Sequence, residues 1–245
     1  MKLNSKVALV TGGSSGIGRA IVLALAKEGC NVVFTYNSKK DESNAIVKEI
    51  EGLGVKGVAI KVDMRSEDDI HGLFDTFTKQ FETLDILVNN AGINQPRDLF
   101  RATVWKEVFQ VNLFSAVACT EKAVELMKES GKILNISSIY AEGKACWKGL
   151  AAYGASKAAI SHFTQTLAKN LAPNILVNAL APGYVKTPLW GDVSEADFEE
   201  SGNEQLIQRM INPEEIADIA IAVIKNDAMT GEVVVVDGGI SLKTV

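Results

Sequence analysis

Histidine and cysteine are both scarce in this chain. Two histidines, His71 and His162, occur among 245 residues, and neither has a partner at the spacing of a metal site. The three cysteines, Cys30, Cys119 and Cys146, are odd in number and lie far apart in the sequence. We therefore expect reduced thiols rather than a disulfide framework, and no bound metal.

Long runs of one residue class are also missing. No basic run exceeds Lys39-Lys40, and the formal net charge of −5 disfavours a nucleic-acid surface. Every apolar stretch falls short of the roughly 18 to 20 residues that a membrane span needs. The N-terminal sequence MKLNSKVALVTGG lacks the apolar region and cleavage site of a signal peptide. These absences predict a soluble, cytoplasmic protein with neither nucleic acid nor membrane as a partner.

What the chain does have is a regular alternation of short apolar runs and helical patterns. Runs such as KVALVT and DILVN are typical of buried strands. The predicted strands are residues 6–11, 31–36, 57–62, 85–89, 132–136, 175–180 and 232–236, and the predicted helices are 16–28, 40–53, 66–81, 103–128 with an interruption near Asn112, 150–172, 194–210 and 213–226. Strands separated by helices favour an α/β fold, a doubly wound parallel sheet of about seven strands with helices on both faces. No linker breaks the pattern, so residues 1–245 are expected to form a single domain.

A glycine-rich stretch, TGGSSGIG, lies between the first strand and the first helix. In it, Gly12, Gly16 and Gly18 stand where a side chain would block a tight turn, the approach of a pyrophosphate or close helix packing. The free amides and the positive dipole end of the following helix suit phosphate groups. This position favours a Rossmann-type dinucleotide site.

The end of the second strand has no acid that would bind a ribose 2′-hydroxyl. It reads Tyr36, Asn37, Ser38 and Lys39. A carboxylate there would repel a 2′-phosphate, so its absence, with Lys39 and Arg19 as nearby cations, favours NADP(H) and leaves NAD(H) possible.

Tyr153 and Lys157 lie four positions apart in a segment that is typical of a helix, LAAYGASKAAISHFTQTLAKNLA. Four residues return the chain to nearly the same helix face, so both side chains look into the same space. An ammonium beside a phenol lowers the pKa of the phenol, and the pair can then give or take a proton at neutral pH. Taken alone, the spacing is more typical of a half-buried tyrosine beside a solvated lysine, and the rest of the chain has to decide between the two interpretations.

Five motifs occur in a fixed order: TGGSSGIG, NNAG at 89–92, ISS at 136–138, YGASK at 153–157 and APGYVKTP at 181–188. With this set the chain resembles the short-chain dehydrogenases/reductases over essentially its whole length. Within them it is most similar to the 3-oxoacyl-[acyl-carrier-protein] reductases. The resemblance implies an NAD(P)-dependent oxidoreductase that transfers a hydride between the cofactor and a carbonyl or secondary alcohol.

The resemblance also implies four catalytic residues. Tyr153 would be the general acid/base, Lys157 would lower its pKa and bind the nicotinamide ribose, and Ser138 would hydrogen-bond the substrate carbonyl. Asn112 would hold a water that links the lysine to solvent. Ser137 competes for the serine role by its chemistry, but Ser138 matches the family position. Such donors suit the reaction, because reduction of a ketone places negative charge on oxygen as hydride arrives.

The expected cofactor contacts come from the loops at one edge of the sheet. They are Gly12, Ser14, Ser15, Gly16, Ile17, Gly18, Tyr36, Asn37, Ser38, Lys39, Asp63, Met64, Asn89, Ala91, Gly92, Tyr153, Lys157, Pro182, Gly183, Val185 and Thr187. Of these, Asp63 has two interpretations, as an acceptor for the adenine amino group or as a loop or helix cap.

Three departures from the reductase pattern leave the substrate open. Ser15 stands where NADPH-dependent acyl-carrier-protein reductases commonly carry arginine, the segments APNILVN and IKNDAMTGEVVVVDGG are shorter than usual, and the acidic surface does not favour an acidic carrier protein. The alternatives are a sugar, polyol or other secondary-alcohol dehydrogenase and, from another class, a dinucleotide-binding regulator without turnover.

The substrate side is expected in the loops after Asn94 and Ile139 and in residues 186–212, which would form a mobile lid. Candidate lining residues are Tyr140, Trp147, Leu189 and Trp190. The same side chains would otherwise pack against the body or a neighbouring subunit. The resemblance implies a homotetramer built through the helix around Tyr153 and the helix before it. The central helix has an alanine-rich outer face that permits close packing, formed by Ala158, Ala159 and Ala168.

Overall fold

One parallel sheet of seven strands runs through the part of the chain that the structure describes. The computed structural model describes residues 1–96, 99–128, 130–142, 146 and 148–242. The strands are β1 (Val7–Val10), β2 (Asn31–Tyr36), β3 (Gly57–Lys61), β4 (Ile86–Asn89), β5 (Gly131–Ile136), β6 (Ile175–Pro182) and β7 (Val233–Val236). Their spatial order is β3-β2-β1-β4-β5-β6-β7, and every neighbouring pair is parallel. The predicted α/β doubly wound sheet is confirmed.

Helices cover both faces of this sheet. They are α1 (Gly16–Lys27), α2 (Lys40–Gly52), α3 (Glu67–Thr78), α4 (Ala102–Phe109), α5 (Ser115–Leu126), α6 (Ala151–Leu171), α7 (Glu195–Asn203) and α8 (Pro213–Lys225). One hydrophobic cluster joins α1, α2 and α8 to one face, and a second joins α3, α5 and α6 to the other. Alternate residues of β1 supply the two clusters, Ala8 to the first and Leu9 to the second, as a strand buried on both faces requires. No helix within the described ranges is both long and apolar enough to cross a bilayer.

The sheet order reverses at β1, which lies between β2 and β4. In such sheets the loops at the carboxyl ends of the strands on either side of this reversal diverge and leave a crevice. The glycine-rich loop follows β1, NNAG straddles the end of β4, and Ser138 comes two residues after β5. The fold therefore gathers the motifs of the sequence at one edge.

The predicted interruption of helix 103–128 near Asn112 is confirmed, because a π-helical turn at Gln110–Phe114 contains Asn112 and lies between α4 and α5. The segment before α8 differs from the sequence prediction. The predicted helix 194–210 ends at Asn203. It stops because Gln205 is fully buried and its side chain bonds the backbone of Tyr184, which draws the following residues into a turn against the end of β6.

Candidate active site

Tyr153 and Lys157 lie one turn apart at the start of α6, and their side chains share one space. The Lys157 Nζ is 5.8 Å from the centroid of the Tyr153 ring. It donates a hydrogen bond of 2.7 Å to the carbonyl oxygen of Ile136, the last residue of β5. Lys157 is only 4% exposed, so this ammonium is held in place beneath the phenol.

Burial sets the proton affinity of both groups. It raises the pKa of Tyr153 to about 12, against the opposing effect of a hydrogen bond with Ser138, and it lowers the pKa of Lys157 to about 8. The sequence predicted that Lys157 would lower the pKa of Tyr153, but in this structure the burial of the phenol, which raises its pKa, has the largest effect. At neutral pH the phenol is therefore protonated and the lysine is mostly charged.

The two serines after β5 have separate environments. Ser138 is 5% exposed, and its hydroxyl accepts a 3.3 Å hydrogen bond from the backbone N–H of Tyr140 and contacts Tyr153. The Ser137 hydroxyl lies 3.1 Å from the carbonyl oxygen of Lys157 and 2.8 Å from the Ser161 hydroxyl. The Ser137 hydroxyl thus links the end of β5 to α6 by hydrogen bonds. Ser138 is the serine whose hydroxyl lies in the site with Tyr153.

Asn112 is 2% exposed and joins three parts of the site. Its Oδ1 accepts from the N–H of Ile93 at 2.8 Å, and its Nδ2 donates to the Ile93 carbonyl and to the Ser156 hydroxyl, each at 3.0 Å. A Cβ built on Gly92 would lie 3.4 Å from both Asn112 Oδ1 and Lys157 Nζ. Asn112 therefore holds the loop after β4 against α6, immediately beside the lysine.

The glycine-rich loop fits a diphosphate. Gly12 has φ +66° and Gly16 has φ +53°, a backbone region that favours glycine. A Cβ on Gly18 would collide with the Gly12 carbonyl and the Asn90 amide. Ser15, which precedes α1, makes no side-chain cap to the helix among the residues that the structure describes, and the first turn carries no acid. The free N–H groups at the start of α1 and the positive end of its helix dipole can therefore bind an anion that lies in the crevice.

The adenosine side of the crevice is more open. Tyr36 and Lys39 are partly buried, whereas Asn37 and Ser38 are exposed. Asp63, after β3, accepts a 3.0 Å hydrogen bond from the Arg65 N–H and a bidentate contact from its guanidinium, with a shortest distance of 2.7 Å. These bonds hold the pKa of Asp63 below its usual value. The carboxylate thus already caps the turn that leads into α3.

Asn89 and Met64 lie deeper than the crevice. The Asn89 amide donates to Asn135 of β5 at 2.9 Å and to Thr120 of α5 at 3.1 Å, and its Oδ1 is buried with no hydrogen-bond partner among the described residues. Met64 packs into the hydrophobic cluster of α3 and α5. The structure therefore places the side chain of Asn89 in the sheet interior and leaves Ala91 and Gly92 to line the crevice.

The segment after β6 lies across the glycine loop. A Cβ built on Gly16 would come within 3.2 Å of the Thr187 side chain, and a Cβ on Gly183 would lie 2.7 Å from the Cα of Asp237. Val185 forms an isolated parallel bridge with Ile211. Residues Pro182, Gly183, Val185 and Thr187 thus lie where they can cover the centre of the crevice.

A row of aromatic side chains in contact connects Tyr153 to α7. The ring of Tyr140 meets that of Tyr153 edge-on at 6.0 Å between centroids, and its hydroxyl lies 3.5 Å from that of Tyr184. Tyr184 meets Trp190 at 5.4 Å, and Trp190 meets Phe198 of α7 at 6.0 Å. Trp190 is therefore packed between Tyr184 and Phe198 within this row. The predicted lining residue Leu189 is 41% exposed, and Trp147 lies outside the described residues.

Comparisons with known proteins agree on the family. The model of the family described as "Enoyl-(Acyl carrier protein) reductase" matches residues 12–241. A 3-oxoacyl-[acyl-carrier-protein] reductase of Aquifex aeolicus is 38% identical over 248 residues, which cover 98% of each protein. The chain belongs to the short-chain dehydrogenase/reductase family. It is accordingly an oxidoreductase, as the sequence predicted.

Solved structures of this family superpose on almost the whole chain. A short-chain dehydrogenase/reductase of Serratia marcescens is 34% identical with a TM-score of 0.91, and covers 98% of this chain and 100% of its own. A short-chain dehydrogenase of Burkholderia cenocepacia in complex with NADP is 33% identical with a TM-score of 0.90, and covers 98% of this chain and 99% of its own.

Four residues that support the site of this dehydrogenase/reductase were missed by the sequence reasoning. The Thr11 hydroxyl accepts from the N–H groups of Asn90 and Ala91, and the Asn90 amide donates to the Thr11 and Gly12 carbonyls, all between 2.9 and 3.0 Å. A Cβ on Gly13 would lie 2.6 Å from Phe34. Gly13 is thus the third of these residues, and Gln205, whose side chain bonds the backbone of Tyr184, is the fourth. Thr11 and Asn90 belong to the motifs TGGSSGIG and NNAG, and this position was the signal that could have identified them. Nothing in the sequence around Gln205 indicates its role.

Proposed function

We propose that the chain reduces the ketone of a 3-oxoacyl thioester with NADP(H), with Ser138, Tyr153 and Lys157 as catalytic residues. The observation that carries the proposal is the geometry around Tyr153: its hydroxyl bonds Ser138, and its ring centroid lies 5.8 Å from the buried Nζ of Lys157. The relatives named 3-oxoacyl-[acyl-carrier-protein] reductases, 36 to 38% identical, support the substrate class.

In this proposal the two hydroxyls act on the substrate oxygen. Ser138 and Tyr153 both donate hydrogen bonds to the ketone oxygen, where negative charge develops. Tyr153 then gives its proton to that oxygen, which suits a phenol that is neutral at physiological pH. The Lys157 ammonium stabilises the phenolate left behind, and its fixed bond to the Ile136 carbonyl keeps the charge within reach. Asn112 keeps the lysine environment in place and binds the water through which the proton is restored.

The cofactor would lie along the glycine loop. When bound, its nicotinamide supplies the hydride. The α1 amides would hold the diphosphate, Lys157 the nicotinamide ribose, and the segment from Pro182 to Thr187 would cover the nicotinamide. The preference for NADP(H) is supported by the absence of an acid at the end of β2 and by the family structure solved with NADP.

We further propose that residues 186–212 close over the substrate.

We also propose that the cytoplasmic enzyme is a homotetramer. Large apolar side chains are exposed on two elements: Phe114, the last residue of the π-helical turn, with Val117 of α5, and Val235 on the edge strand β7. Two distinct self-complementary surfaces suffice to build a tetramer with twofold axes. Sedimentation at micromolar concentration tests this, and a mass near that of one chain would contradict it.

The function is tested by cofactor oxidation with acetoacetyl thioesters, run beside a panel of sugars, polyols and simple ketones. Turnover with the thioester well above the panel is the expected result. Preference for a sugar or polyol would identify a dehydrogenase of that class instead. Cofactor binding without turnover on any substrate would identify a dinucleotide-binding regulator.

A further inference from the structure

Lys157 is bonded to the end of β5 at both its side chain and its backbone. Its ammonium donates to the carbonyl oxygen of Ile136 at 2.7 Å, and its backbone carbonyl accepts from the Ser137 hydroxyl at 3.1 Å. Ser137 is 2% exposed, and its own N–H bonds the carbonyl oxygen of Leu180 in β6 at 2.7 Å. The two bonds thus join the lysine to adjacent residues that are themselves fixed in the sheet.

A second serine sets the direction of the Ser137 hydroxyl. The Ser161 hydroxyl lies 2.8 Å away, one turn beyond Lys157 on α6. A hydroxyl has a single hydrogen to donate, so when Ser137 donates to the Lys157 carbonyl, Ser161 is the donor in the serine pair. Both serines are buried. They therefore form one chain of hydrogen bonds that ends on the backbone of the lysine.

This chain is not needed to pair buried polar groups. Lys157 lies in the interior of α6, where the helix pairs its carbonyl with the N–H four residues on, at Ser161. A serine hydroxyl in a helix can also bond the carbonyl four residues before it, which for Ser161 is that of Lys157. Loss of the Ser137 hydroxyl would therefore leave each remaining group with a partner. Only the bond between the sheet and the helix backbone would be missing.

We propose that Ser137 is a positioning residue that keeps the Lys157 ammonium beneath Tyr153, and that Ser161 orients Ser137 for this role. The inference rests on the proposed catalytic role of Lys157. Because the lysine side chain is a flexible stem, its bond to Ile136 alone leaves the helix free to shift along the strand. The bond from Ser137 fixes the backbone from which this stem starts. The ammonium then has one position relative to the phenol.

Turnover of acetoacetyl thioester with NADPH tests the positioning. Ser137→Ala should lower kcat about tenfold, because a displaced ammonium stabilises the phenolate less well, and should change KM by less than about twofold. Ser161→Ala should lower kcat about threefold, since the Ser137 hydroxyl keeps its acceptor but not its fixed direction. In the Ser137→Ala background, Ser161→Ala should have no further effect on kcat.

The pH dependence separates positioning from packing. Burial lowers the pKa of Lys157 to about 8 from 10.5, and a displaced ammonium regains water, so this pKa should rise in Ser137→Ala. The alkaline limb of kcat should then move to higher pH. The rise in the free energy of unfolding from pH 8 to pH 10.5, measured against the corresponding Lys157→Met variant, should become smaller. Tyr153, the titratable group over the ammonium, has a pKa of about 12 and stays largely neutral over this range.

Thr164→Val is the matched control. Thr164 is fully buried on the same face of α6, and its hydroxyl accepts from the Asn135 amide and donates to the carbonyl of Ile160, each at 2.9 Å. It thus joins α6 to β5 through Asn135 instead of Ser137. The substitution leaves a buried amide without its acceptor, so it should lower the free energy of unfolding more than Ser137→Ala does. It should leave kcat and both pH profiles unchanged.

Two results would overturn the inference. One is a Ser137→Ala protein with the kcat and the pH profiles of the wild type. The other is an equal loss of kcat and an equal pH shift in Thr164→Val, which would show a general loosening of α6. Failure of the proposed function looks different: a wild type without thioester turnover, or full turnover in Lys157→Met, would contradict that proposal. The unfolding series would still show whether Ser137 holds the lysine in place.

Discussion

The two ends of the crevice are built differently. At the catalytic end, Asn112, Ser138 and Lys157 are 2%, 5% and 4% exposed, and the protein itself provides each with a hydrogen-bond partner. At the adenosine end, the charged side chains form ion pairs with substantial exposure, such as Asp63 with Arg65. Buried donors act on developing charge without rearranging, whereas exposed pairs exchange partners at little cost. Substitutions at the catalytic end should therefore abolish turnover, whereas substitutions at the adenosine end should change the affinity for the cofactor.

The largest expected effect is that of Tyr153→Phe. The ring can keep its edge-on contact with Tyr140, but the proton donor is lost. We expect kcat for thioester reduction to fall by about 10²- to 10⁴-fold, with NADPH affinity nearly unchanged. Stopped-flow kinetics and a fluorescence titration measure the two quantities. Activity equal to that of the wild type would contradict the assignment.

Lys157→Met should lose both turnover and cofactor affinity, and it should also change the pH dependence of stability. The pKa of Lys157 is about 8 in the folded state and 10.5 in the unfolded chain, so the unfolded state binds more protons between these pH values. The free energy of unfolding of the wild type should therefore rise relative to the variant by about 3 kcal/mol from pH 8 to pH 10.5. Urea unfolding of both proteins across this range measures it. A constant difference would mean that the buried lysine keeps its ordinary pKa.

Asn112→Ala tests the support of the catalytic end rather than its chemistry. The substitution removes three hydrogen bonds and leaves the N–H and carbonyl of Ile93 without their partner. We expect a loss of about 2 to 4 kcal/mol in the free energy of unfolding and a lower kcat. Ser156→Ala removes one of the three bonds, together with the 2.7 Å bond that the Ser156 hydroxyl donates to the Tyr153 carbonyl. It should cost less, because both Ile93 groups keep Asn112 as their partner. An equal cost for the two variants would show that Ile93 finds other partners.

The parts of the site that the sequence predicted are those that local patterns determine. The order of strands and helices follows from hydrophobic periodicity, and the four-residue spacing of Tyr153 and Lys157 places them on one face of a helix. The pKa of Tyr153 was misjudged because it depends on burial by residues distant in sequence. The role of Gln205 was missed for the same reason, since its partner Tyr184 lies 21 residues away and meets it only when the end of β6 and the turn after α7 pack together.

The smallest expected effect lies at the adenosine end, where Asp63 has two possible roles. As an acceptor for the adenine amino group it contributes to cofactor affinity, and as a cap it stabilises the turn through the N–H of Arg65. We expect Asp63→Ala to weaken NADPH binding about fivefold and to leave kcat unchanged, since one exposed hydrogen bond is lost. Arg65→Gln is the matched control, because it frees the carboxylate and should strengthen binding slightly. A fall in the thermal midpoint of Asp63→Ala with no change in NADPH affinity would instead assign the residue to the turn alone.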